Sequence, residues 1–154
     1  MAADFEFSES NGAGEVVQDG IANVNFGSTD DHELTPASYP VVAGENSYWK
    51  CIRAHFEGTF EEISNMKFWK SAGAFGTGEA IVWKCDDAYV QPAETALSGS
   101  ASVPTAEPGG ENITPSTIES SGYTDYIFLQ LQTTGSTPAG AIAQKTFTFK
   151  YDEV

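Results

Sequence analysis

No stretch of eleven or more residues in this chain keeps the i, i+3, i+4, i+7 apolar spacing of an amphipathic helix. Short alternating runs recur instead, separated by clusters of Gly, Ser, Thr, Pro and Asp. That pattern confines the chain to an all-β architecture. Residues 4–8 alternate, and Asn11-Gly12-Ala13-Gly14 turns the chain. Residues 21–26 alternate again, and residues 39–42 read as an edge strand because Pro40 cannot donate to a ladder.

The longest expected strand spans residues 47–57. Tyr48, Lys50, Ile52, Ala54 and Phe56 share one face, while Trp49, Cys51, Arg53 and His55 share the other. Both faces are partly apolar, so this strand is expected at the centre of a sheet. Residues 62–70 follow, with Ile63, Asn65, Lys67 and Trp69 expected on one side and Met66 and Phe68 on the other. Residues 73–78 turn, residues 80–85 form a further strand, and residues 123–133 and 142–151 supply two strong runs near the end.

Between residues 91 and 122 the composition shifts to Pro, Gly, Ser and Thr, with few apolar side chains to pack. This segment is expected to leave the body of the domain as a long excursion, ordered only if something covers it. About seven to nine strands, no helix and one excursion predict a single β-sandwich domain over residues 1–154, immunoglobulin-like or jelly-roll-like.

The formal charge is −15 from 22 acidic and 7 basic residues, with no Lys or Arg before Lys50 or between Cys85 and Gln144. Such a chain repels phosphate, so neither nucleic acid nor an anionic membrane is an expected partner. No apolar run approaches the roughly 20 residues a membrane-spanning helix needs. The first six residues carry neither a basic nor an apolar signal region, so synthesis in the cytoplasm is expected. Cys51 and Cys85 could form one bridge, but a cytosolic origin favours two buried thiols.

Chemistry-bearing motifs are sparse. Two histidines, His32 and His55, do not make the usual zinc or His-based catalytic sets. No G-x-S-x-G, H-E-x-x-H or P-loop pattern occurs, and the glycines of residues 73–78 have neither the lysine nor the helix of a phosphate loop. Asp30, Asp31 and Glu33, like Asp86 and Asp87, lack the ligand register of an EF-hand and read as solvated loops. No catalytic residue, metal ligand or cofactor is therefore expected.

All three tryptophans and five of the seven basic residues fall within residues 47–84. Lys50, Arg53, Lys67, Trp69, Lys70 and Lys84 are accordingly the candidate partner interface, a basic and aromatic patch on an acidic body. The competing reading buries the tryptophans and uses the lysines to guard strand edges.

Several segments resemble a known group. They are Ser8-Glu9-Ser10-Asn11-Gly12-Ala13-Gly14, Asn25-Phe26-Gly27-Ser28, Trp49-Lys50-Cys51-Ile52-Arg53 and Gly58-Thr59-Phe60. To these are added Ile63-Ser64-Asn65-Met66-Lys67-Phe68-Trp69-Lys70-Ser71 and Thr146-Phe147-Thr148-Phe149-Lys150-Tyr151-Asp152-Glu153. Together they resemble small virion structural proteins of tailed bacteriophages, over most of the chain outside residues 92–121. The resemblance implies an immunoglobulin-like sandwich that assembles on a capsid or at the neck and tail, and it carries over no functional residue.

The expected function is thus non-enzymatic: a capsid decoration protein of the virion that binds the major capsid protein or another virion protein. Its expected contact elements are the excursion, residues 1–9 and the basic strand pair, and self-association into an oligomer is left open. The alternatives are a neck or tail component of the same virion, a carbohydrate-binding module stacking sugars on Trp69 or Trp83, and a hydrolase using paired carboxylates.

Overall fold

The computed structural model describes residues 2–154, and no helix occurs among them. Ten antiparallel strands do: β1 (Ala3–Asn11), β2 (Val16–Gln18), β3 (Lys50–Gly58), β4 (Ile63–Ala72), β5 (Ala80–Asp86), β6 (Ala101–Ser102), β7 (Thr117–Ile118), β8 (Gly122–Tyr123), β9 (Tyr126–Gln132) and β10 (Thr146–Glu153). The larger sheet runs β2-β1-β3-β9-β5-β6, with β8 also on β3; the smaller runs β10-β4-β7. They pack face to face as an open all-β sandwich. The count exceeds the expected seven to nine because β2, β6, β7 and β8 are pairings of two or three residues.

Strand β3 lies between β1 and β9, the central place its two apolar faces demand. Ile52, Ala54 and Phe56 point into the core between the sheets, where Phe68, Ile127 and Leu129 also lie. Trp49 and Cys51 point outward into a second, smaller cluster with Leu97 and Phe128. Cys85 instead packs against the inter-sheet core, so the two thiols occupy opposite faces of the larger sheet and are unpaired.

Strict alternation fails in β4. Lys150 pairs with Lys67 and Asp152 with Ser64, so two steps along β10 match three along β4. The extra residue is Asn65, a β-bulge in the left-handed region at φ 50°. Asparagine tolerates that conformation, and its Nδ2 donates to Asp152 Oδ2 at 2.9 Å. Past the bulge the faces exchange, and Ile63 joins Met66 and Phe68 in the core instead of opposing them.

Residues 21–26 and 39–42, expected as strands, belong to none. Ile21, Val24 and Phe26 all pack on the core, more than one face of an alternating strand would supply, while Tyr39 and Val42 are exposed. Their backbone, however, is held by other groups. Ala22 N–H donates to the Glu33 carboxylate, Asn25 Nδ2 to the Leu34 carbonyl, and Ile21 N–H to the Phe7 carbonyl. Alternation read from side chains cannot tell such an anchored loop from a strand.

Residues 91–122 also depart from expectation, because they close one side of the sandwich. Leu97, Val103, Ile113 and Ile118 are buried, and four apolar anchors suffice. The segment first lines the β5 edge through β6, and Val103 N–H donates to the Ile81 carbonyl. It then crosses to the β4 edge, where the Pro104 carbonyl accepts from Lys70 N–H and Asn112 N–H donates to the Met66 carbonyl. The Asn112 side chain completes the seal: Oδ1 accepts from Phe68 N–H at 2.8 Å and Nδ2 donates to the Phe68 carbonyl at 2.9 Å. β7 finishes the edge at Ile63 and Ser64. Two sheet edges that could template strand addition are thereby satisfied internally.

Asn112→Ala strips both partners from Phe68. It is expected to cost about 2 kcal/mol in urea denaturation, with Asn112→Asp, which keeps only the acceptor, falling between.

Candidate functional site

The six candidate interface residues do not form a surface patch. Lys50 sits on the inner face of β3 at 2% exposure, its Nζ donating to Glu9 Oε1 at 2.8 Å and to the Asp31 carbonyl at 2.6 Å. Arg53 lies on the outer face of the same strand. Its guanidinium sits 4.1 Å from the Tyr123 ring centre and 4.6 Å from that of Tyr126. Lys84 bonds Asp86 at 3.1 Å and sits over Phe128. Across the molecule on the smaller sheet, Lys67 and Trp69 are buried, and Lys67 reaches Glu107. Lys70, also buried, donates to the Gly73 carbonyl and lies over the Phe75 ring.

The correction has a simple physical cause: each cation folds onto an acceptor of its own chain. The remaining two do the same, Lys145 with Glu79 and Lys150 with Glu107, both at 2.8 Å. At Glu79 burial opposes ionisation, yet the Lys145 ammonium and the Gly76 N–H hold its carboxyl below the usual range. All seven basic residues are thus engaged internally, and the exterior field is set by the surplus carboxylates.

Chemistry-bearing side chains concentrate elsewhere, on the outer face of the larger sheet where β1, β3, β8 and β9 meet. Register puts Glu6 opposite His55, and His55 opposite Tyr123. The His55 and Tyr123 rings stack at 4.1 Å and 8°, and Arg53 extends the stack toward Tyr126. His55 Nδ1 lies 3.0 Å from Glu6 Oε1 and 3.9 Å from Asp19 Oδ1, while Nε2 lies 3.8 Å from Glu57 Oε1.

Asp19 is held by two hydroxyls, Ser8 Oγ at 2.6 Å and Tyr123 Oη at 3.0 Å. The Ser8 bond, chiefly, keeps its carboxyl below the usual carboxylate range. Burial pushes the Tyr126 phenol up to about 12, reinforced by its hydrogen bond to Glu15. Both tyrosines therefore remain neutral donors at neutral pH. Glu6, Asp19 and His55 are the set on this face that could hold a metal ion.

The outermost row is more telling. Asp4 pairs directly with Glu57, both exposed, next to the Glu6 and His55 pair. Like charges facing each other across a ladder destabilise a sheet. This face is thus a Tyr and Arg platform with a carboxylate-rich rim. No family model, curated protein or solved structure matches the chain.

Alternation had placed Arg53 and His55 together on one face of β3. The rest of the platform was missed because Glu6, Tyr123 and Tyr126 arrive from other strands and Asp19 from the residue after β2, and no local spacing links them. The tryptophans give sugar stacking no support: Trp49 and Trp69 are buried, and Trp83 packs inward against Phe68.

Proposed function

We propose that this protein is a non-enzymatic structural component of a tailed-phage virion, a decoration protein that docks on the assembled head. The resemblance of its strand and turn segments to such proteins supports the class, and the acidic aromatic face supports the chemistry of docking. The carrying observation is the exposed Asp4–Glu57 pair beside the Arg53, Tyr123 and Tyr126 platform, with every Lys and Arg side chain engaged internally. Such a face suits a partner surface bearing Lys and Arg. Tyr and Arg supply the desolvated centre and the carboxylates a steering rim. Binding only to the assembled lattice stabilises the shell by mass action.

The test is co-sedimentation of the purified protein with undecorated heads. Asp4→Lys/Glu57→Lys is expected to weaken occupancy at least about tenfold, as is raised salt. Wild-type protein that stays in the supernatant at low salt overturns the reading. Retention of the charge-reversed variant at wild-type occupancy would remove this face from the contact.

A further inference from the structure

The two ends of the sandwich are filled differently. At one end Phe5, Phe56, Phe60, Phe149 and Tyr151 interlock ring against ring. At the other the sheets diverge around a cavity of about 1080 Å³. Its walls are inner-face strand residues, among them Phe7, Ile52, Phe68, Ile81 and Leu131. Its cover consists of residues 21–26, 35–37, 40–43 and 137–145, contributed by two long loops, with Thr146 and Phe147 at the start of β10.

The cause is legible in those loops. Where they face large apolar strand residues they offer Ala37, Ala43, Pro138, Ala139 and Ala141, side chains too small to fill the gap. Protein interiors pack at crystal-like density, so a cleft of this size between the sheets, open to solvent between the loops, is not ordinary imperfection. Water is a poor occupant of the strand side, where Phe7, Ile52, Phe68, Ile81 and Leu131 offer none of the two to four polar partners each molecule needs, while the loops contribute Asn23, Asn25, Thr35 and Gln144. The volume is at the upper end of small-molecule sites.

Charge narrows the ligand class. Lys145 is the sole charged residue of the lining, and its Nζ is already taken by Glu79 and the Ala143 carbonyl, each at 2.8 Å. No free charge remains to recognise an anionic headgroup, and the −15 exterior repels one. We propose that this cavity binds one uncharged, apolar small molecule, an aliphatic chain or a fused-ring compound, between the sheets beneath the two loops.

The probe is Nile red, a neutral dye whose emission rises in apolar surroundings, titrated into the full-length protein. Saturable one-to-one enhancement is expected. Leu131→Phe fills the cavity from the strand side and Ala141→Trp from the loop side. Each is expected to weaken the dye at least tenfold while the thermal midpoint stays level or rises. If Leu131→Phe does not fold, Ala141→Trp decides alone. Absent or unsaturable enhancement overturns the proposal, as does binding that neither variant weakens. Release of the dye when the protein docks on heads would assign the cavity to a partner's side chains and also overturn it.

Discussion

Lys50→Ala will cost about 3–5 kcal/mol of folding stability, the usual result of leaving a buried counter-charge alone. Glu9 has no exposed surface at all, and among the described residues Lys50 is its only cation. The carboxylate keeps one further donor, Asn11 Nδ2 at 3.1 Å from Oε1, while Oε2 has no protein partner. Without the ammonium this charge sits at the end of the inter-sheet core with one amide to solvate it. The Asp31 carbonyl, which accepts from the same ammonium, is orphaned as well. For a domain of this size the loss corresponds to a fall of roughly 10 °C in the thermal midpoint. Lys50→Met/Glu9→Leu removes both charges and keeps the volume, and it is expected to recover most of the loss. Urea denaturation of the two variants separates an ion pair that specifies the end of the sandwich from one that stabilises it. A Lys50→Ala variant within 1 kcal/mol of wild type would mean that Glu9 is solvated in some other way.

That pair also marks where sequence reasoning reaches its limit. The central position of β3 was legible, because Ile52, Ala54 and Phe56 alternate with Cys51, Arg53 and His55 on two usable faces. The inward set of β10, Phe147, Phe149 and Tyr151, was legible for the same reason. Lys50 sits in that same inward register, but its partner lies 41 residues upstream, and only the pairing of β1 with β3 brings Glu9 to it. A charged residue at a core position therefore read as a surface cation. The five basic interface candidates fail to form a patch by this mechanism, since solvation and internal pairing leave the same mark in a sequence, and Trp69 is buried as large aromatics usually are. Asn65 shows a second limit. One bulge residue exchanges the faces of everything after it, and nothing local distinguishes it from an ordinary strand asparagine. In residues 91–122 composition misled: Leu97, Val103, Ile113 and Ile118 are few, but Leu97 covers the outer face of β3 and β9 and the other three are buried where the segment closes the side of the sandwich.

Phe56→Ala and Leu131→Ala should differ more than side-chain size predicts, because one site is packed and the other is not. Phe56 is fully buried, with the rings of Phe5, Phe60, Phe149 and Tyr151 between 4.9 and 6.4 Å away. Truncation there forfeits ring contacts on several sides, and the expected cost is about 4 kcal/mol, within the usual range for a buried phenylalanine. Leu131 is nearly as buried, but part of its surface already faces the cavity. Its removal enlarges a void instead of creating one, so contacts are lost on one side only, and the expected cost is about 2 kcal/mol, below most packed leucines. The contrast is measured in urea on the purified, ligand-free protein. Adding a saturating neutral apolar ligand should narrow it in one direction: Leu131→Ala, whose neighbours contact the ligand, shifts with it, and Phe56→Ala, at the ring-packed end, keeps its deficit. Equal costs at the two positions would show that the loops collapse onto the strands in solution and that the sandwich is packed at both ends.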